Sequence, residues 1–129
     1  MEKVKIHFRM AINGEKDTIF DTEANHIGSK LFFTDNENFR YIVEYSESVV
    51  RIERIGLTTM KLILKKGEPS EGFFKTQGLS FPFTVMTRYI LLKKQELSLS
   101  YDMLDNESVV THHEMNLKWI LHGRNGKND

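Results

Sequence analysis

His112 and His113 stand side by side and form the most conspicuous polar pair in the chain. Neighbours on a strand point to opposite faces, so the pair cannot jointly ligate one metal, and no metal site is expected. His113 shares an alternating apolar face with Met115, Leu117 and Trp119, where its imidazole could hold a ligand or simply bond a buried hydroxyl. His112 falls on the other face with Ser100 and Asp102, nominally the residue types of acyl transfer. No nucleophile elbow is present and no oxyanion-hole glycine adjoins either serine, so these read as the small polar residues of a wet strand face.

Aspartates and glutamates sit mostly in turns or at outward positions, and no pair stands out for general acid–base work. Gly67, Gly72 and Gly78 form no phosphate-cradling loop, because no Lys-Ser or Lys-Thr follows at the required spacing. The expectation is therefore no enzyme, no catalytic residues and no cofactor. What remains is binding. Phe39, Tyr41, Val43 and Tyr45 share one strand face, and with Tyr101, His113 and Trp119 they would either line an apolar cavity with polar handles or fill it. Arg54, just before Gly56, would clamp a carboxylate or phosphate at a rim, or make a surface salt bridge. Tyr41, Tyr45, Arg54, Tyr101, His113 and Trp119 are thus the candidate ligand-binding residues.

The elements that must position these residues are strands. Val4, Ile6, Phe8 and Met10 alternate with Lys3, Lys5, His7 and Arg9, the period-2 pattern of a strand with one wet face. A second strand, from Thr18 to Ala24, follows the turn dipeptide Asn13-Gly14. A two-residue turn would push Asp21 and Asp17 onto the apolar face. A three-residue loop, Ile12-Asn13-Gly14, is expected instead, with Ile6 opposite Phe20, Val4 opposite Thr22 and Lys5 opposite Asp21. Further strands are predicted at Lys30–Thr34, Phe39–Tyr45, Val49–Ile55, Thr58–Lys65, Phe73–Thr76 and Phe81–Ile90, with Lys66 to Gly72 as the strongest loop signal. Pro82 belongs at a strand end or an edge because it lacks a ladder donor. Leu97, Leu99, Tyr101 and Met103, then His113 to Leu121, make a C-terminal hairpin. Roughly eight to ten short strands imply a sandwich or a barrel, and closure is the simpler way to remove exposed edges.

Eighteen basic and eighteen acidic side chains cancel, which argues against a partner held by phosphates or an anionic membrane. Phe73, Phe74, Phe81 and Phe83 near Lys75 and Arg88 are a set that single-stranded RNA binders also use, but the zero net charge places this reading behind the others. With no cysteine and no apolar run near the ~20 residues of a membrane span, a cytoplasmic protein is expected. One barrel domain over residues 1–122 and a disordered tail over 123–129 complete the reading.

The C-terminal pattern Leu97-Ser98-Leu99-Ser100-Tyr101-Asp102-Met103, followed by His113 to Trp119, resembles the YwiB-like family of uncharacterised bacterial proteins. Arg54-Ile55-Gly56 and Phe74-Lys75-Thr76-Gln77-Gly78 are similar to the same family's pattern. The resemblance implies a lipocalin-like (calycin) antiparallel β-barrel and brings no established activity or site residues. The segment between Tyr45 and Arg51 looks shorter than the family's, which would leave an exposed edge strand. Two functions follow as expectations: a small, mostly apolar ligand inside the barrel, or a solid-cored interaction module, with a homodimer through that edge.

Overall fold

The computed structural model describes residues 1–121 as ten antiparallel strands and no helix. They are β1 (Glu2–Ile12), β2 (Lys16–Ile27), β3 (Lys30–Thr34), β4 (Arg40–Glu44), β5 (Val49–Ile55), β6 (Thr59–Lys65), β7 (Pro69–Thr76), β8 (Leu79–Lys93), β9 (Glu96–Asp105) and β10 (Ser108–Leu121). Each strand pairs with its sequence neighbours, and β1 pairs with β10 to close the barrel. The expected barrel is therefore present, with strand count at the top of the expected range. The expected tail, 123–129, and residue 122 of the expected domain lie outside the described residues.

The alternation read from β1 is the alternation observed: Val4, Ile6 and Phe8 point inward and are nearly fully buried, while Lys3, Lys5, His7 and Arg9 are exposed. Inward residues of the other strands complete the core, among them Leu31, Val43, Val50, Ile52, Leu62, Leu64, Val85, Leu97, Leu99 and Leu117. Each such side chain contributes about 1.5–3 kcal/mol of burial. Aromatic rings fill the middle: Phe8 stacks on Phe20 at 4.7 Å and Phe33 on Tyr41 at 4.9 Å.

Three expectations need correction. The first loop is three residues long, but it is Asn13-Gly14-Glu15, with Ile12 opposite Lys16, Phe8 opposite Phe20 and Val4 opposite Ala24. The slide of two residues keeps every side chain on its expected face. It also brings Asn13 to β10, where its backbone N–H donates to the His112 carbonyl and its side-chain oxygen accepts from the His112 N–H. Second, the segment from Lys66 to Gly72 is mostly strand. The turn is confined to Lys66, Gly67 and Glu68, and β7 starts at Pro69. Gly72 faces inward within β7 because a Cβ there would lie 2.7 Å from the Lys61 carbonyl oxygen and 2.7 Å from the Phe83 ring. Third, Phe39 is not part of the inward row of β4. It precedes the strand and lies over Gly56, where any Cβ would overlap its ring.

Closure leaves no full-length edge strand, and the short β4–β5 connection leaves no gap in the wall. Several strands overhang their neighbours, among them residues 16–23 of β2, which pair with β1 only, and the start of β8. Residues 79–83 of β8 pair with β7, whereas the β8–β9 ladder begins only at Thr84. Pro82 sits in that stretch, as its missing N–H requires.

Candidate binding site at one end of the barrel

The register sorts the six candidate residues into two groups. Ile12 is opposite His113, whereas Ile6 is opposite Trp119. Six residues of strand separate them, about 20 Å at ~3.3 Å per residue. Along the neighbouring ladders His113 faces Tyr101, and Tyr41 faces Arg54, at the same end as His113. Tyr45 lies with Trp119 at the other end, ring centroids 5.2 Å apart. The structure thus brings together four of the six and separates two.

Tyr45 and Trp119 belong to a plug. The His26 ring lies 5.8 Å from Trp119, its Nε2 meets the Tyr45 hydroxyl at 2.8 Å, and its Nδ1 is 3.5 Å from Glu2. Burial, and secondarily the Glu2 charge, push the Tyr45 hydroxyl's pKa up. These contacts hold the residues to one another.

The opposite end is built differently. Its last inward residues, Met10, Ile12, Tyr41, Met60, Phe74, Phe83, Met103 and His113, are only half-buried. One layer deeper, Phe8, Phe20, Phe33, Leu62, Val85, Leu99 and Tyr101 are buried and form a floor. The result is a filled barrel whose mouth at this end is a ring of half-buried, mostly apolar side chains.

Polar groups punctuate this mouth. His113 stacks on Tyr101 at 4.9 Å with planes 3° apart, and its Nε2 meets the Thr111 hydroxyl at 2.8 Å. Its Nδ1 is buried without a partner, as is the Arg54 Nε; the Thr87 Oγ1, also without one, lies deeper, beneath Val85. Burial, helped by the nearby His112, pushes the His113 pKa below the usual imidazole value, so the ring is neutral near pH 7. Tyr101, fully enclosed, has its hydroxyl pKa driven up by burial and further by Tyr41 across the interior. Burial also raises the Tyr41 pKa to about 12, with Asp35 reinforcing the rise and Arg54 opposing it.

The loop between β3 and β4 sets Arg54. Asp35 accepts hydrogen bonds from the N–H groups of Glu37 and Phe39 at 2.8 and 3.0 Å, while Asn38 takes a positive φ of 69°. This tight loop lays Phe39 across Gly56, and the Arg54 guanidinium rests on the ring, 3.8 Å from its centroid. Asp35, Thr111 and the mouth methionines were not among the sequence candidates. For Thr111 and the methionines the signal was inward parity at one common end, which needs the register of all ten strands; Asp35, in a loop, carried no such signal.

On the outer wall His112 does meet Asp102, at 2.7 Å. Arg88, the extra residue of a bulge in β8, donates from Nε to both Asp102 oxygens at 3.3 and 3.2 Å. The other His112 nitrogen, Nε2, faces Glu114 at 3.4 Å. Both ring nitrogens are engaged by carboxylates, so neither is left to activate Ser100. Burial opposes the Asp102 charge, but the hydrogen bonds from His112 and Arg88 prevail and hold its pKa below the usual carboxylate range. Among the described residues no group of three His, Cys, Asp or Glu could hold a metal, and no helix is long and apolar enough to cross a membrane. Two concavities of about 520 and 610 Å³ lie on the outside of the wall, over Phe32, Ile42 and Ile63.

Comparison with known families places this barrel. The pattern described as "Domain of unknown function (DUF1934)" matches residues 4–117. The chain belongs to the DUF1934 family. No curated protein matches it. Among solved structures, the DUF1934 barrel is similar to the crystal structure of ywiB protein from Bacillus subtilis, with a TM-score of 0.72 and 19% identity over 93% of this chain and 92% of that one. Family and fold agree with the YwiB-like resemblance, and at that identity the likeness speaks for the DUF1934 fold alone.

Proposed function

We propose that the protein is a non-catalytic binding module that takes a small, mostly apolar ligand at the Met- and Phe-lined mouth. The observation that carries this reading is the placement of two buried, unpartnered side-chain atoms among the described residues. Arg54 Nε and His113 Nδ1 both belong to inward-facing residues at the one end where the apolar lining is half-exposed. Unpaired buried polar atoms cost about 1–3 kcal/mol each, a cost a bound molecule would recover. Native mass spectrometry of protein purified from cells tests it. A co-purifying small mass is expected, lost in Met103→Asp, which charges the mouth, and kept in Ile42→Asp, which alters the outer wall. Loss in Ile42→Asp alone would move the site to the outer concavity. No mass, with a solved structure whose mouth is sealed by its own side chains, would end the proposal.

A second reading, contact with another chain, is supported by residues 79–83 of β8. Their β9-facing side is unpaired, and Leu79 and Phe81 are 59% and 49% exposed. A monomer at high concentration in analytical ultracentrifugation would count against self-association there. The absence of cysteine supports placing the protein in the cytosol.

A further inference from the structure

We infer that the ligand of the mouth is a monocarboxylate with an apolar tail, its carboxylate held by Arg54 and its tail lying across the methionines. This rests on the binding reading above and adds the headgroup.

Arg54 faces inward from β5, between Tyr41 of β4 and Met60 of β6. Among the described residues no carboxylate lies within ion-pair distance of its guanidinium. The Phe39 ring lies against it, with its centroid 3.8 Å from the guanidinium carbon, and the arginine charge acts on the nearby Tyr41 hydroxyl. A half-buried arginine without a counter-ion has paid for desolvation without regaining it, and a carboxylate returns it through two parallel N–H···O bonds.

Charge argues for a monoanion. The other strands contribute Ile12, Thr18, Met60, Phe74, Phe83, Met103 and His113 to this end, none of them cationic once burial keeps His113 neutral, so Arg54 is left to match one negative charge. Asp35, beside Tyr41, opposes any anion there and a multiply charged one most. The His113 Nδ1 offers an independent sign of an occupant: it is buried, belongs to an inward-facing residue at this end and has no partner. For the tail, Met10, Met60 and Met103 are unbranched and adapt to chains of varied shape.

The test is NMR of protein carrying ¹³C-methyl methionine, titrated with decanoate and with 1-decanol below their aggregation limits. Decanoate should move the methyls of Met10, Met60 and Met103 and leave Met86, on the outer wall, in place, and decanol should bind at least about tenfold more weakly. Arg54→Gln should reduce decanoate to the level of decanol. Equal binding of acid and alcohol to the wild-type protein, or a preference for the acid that survives Arg54→Gln, would overturn the headgroup assignment while leaving the mouth as a binding site. No movement at these three methyls with either probe would overturn both. If Arg54→Gln does not fold, the acid-to-alcohol ratio on the wild-type protein decides.

Discussion

At the scale of single residues, two side chains on opposite faces of neighbouring strands make stability depend on pH in the same direction. His113 is held below its ordinary pKa of 6.5. As pH falls past that value the unfolded chain takes up a proton that the folded one refuses, so stability drops until the lowered pKa is passed. Asp102 is also held low, by His112 and Arg88. Its contribution is complete above the ordinary carboxylate value and is lost as pH falls through the depressed one. Urea midpoints measured against pH should therefore fall in two stages, the upper removed by His113→Phe and the lower by Asp102→Asn. Asp102→Asn should also cost about 1.5–3 kcal/mol at neutral pH, since it weakens charge-assisted bonds to a carboxylate that is 8% exposed. A single-stage profile in the wild-type protein would refute the assignment. The facing of these residues was readable in advance, because parity along β9 and β10 depends only on alternation. Which hydrogen bond His112 makes was not, because it requires the bulge that aims Arg88 at Asp102.

At the scale of elements, small residues decide where strands begin and how closely they approach. Gly72 looked like part of a loop because Lys66, Gly67, Pro69 and Gly72 all favour turns locally. Its role in the barrel is the opposite, an inward position in a strand where the Lys61 carbonyl and the Phe83 ring leave no room for a Cβ. Gly72→Val should cost about 1–3 kcal/mol, because the obstructing carbonyl belongs to backbone and cannot swing away. Thermal denaturation beside Gly67→Ala would separate this crowding from the strain of a positive φ at Gly67, which is 80°. If Gly72→Val melts with the wild-type protein, the close approach is not the reason for glycine there. The strands whose alternation is uninterrupted, β1, β3 and β5, were legible almost to the residue. Those with glycine and proline inside them, β7 and β8, were not, since tertiary crowding overrode their turn preference. The site shows the same division. Tyr41, Tyr101 and His113 could be named from parity, and Arg54 from its place just before Gly56, whereas their separation from Tyr45 and Trp119 follows from stagger between strands.

At the scale of the whole molecule, the barrel is a meander in which every ladder but one joins consecutive strands. The exception is the seam between β1 and β10, which joins Val4 to Leu121 and Ile12 to His113. Refolding should take milliseconds to seconds, as expected when non-local β pairing must form, and stopped-flow Trp119 fluorescence would report it. A microsecond phase carrying the full amplitude would show that closure is not limiting. The seam also gives the fold a schedule during synthesis. Chains are made at about 5–20 residues per second, so β1 emerges several seconds before the strand it must meet. Throughout that interval it can pair with β2 on one side only, and its other ladder stands open to any strand that comes near. The charged outward residues Lys3, Lys5 and Arg9 line that waiting strand. Lysine on an open edge is a known deterrent to wrong pairing, so the wet face of β1 protects the chain while it is being made as well as keeping the finished barrel's surface polar.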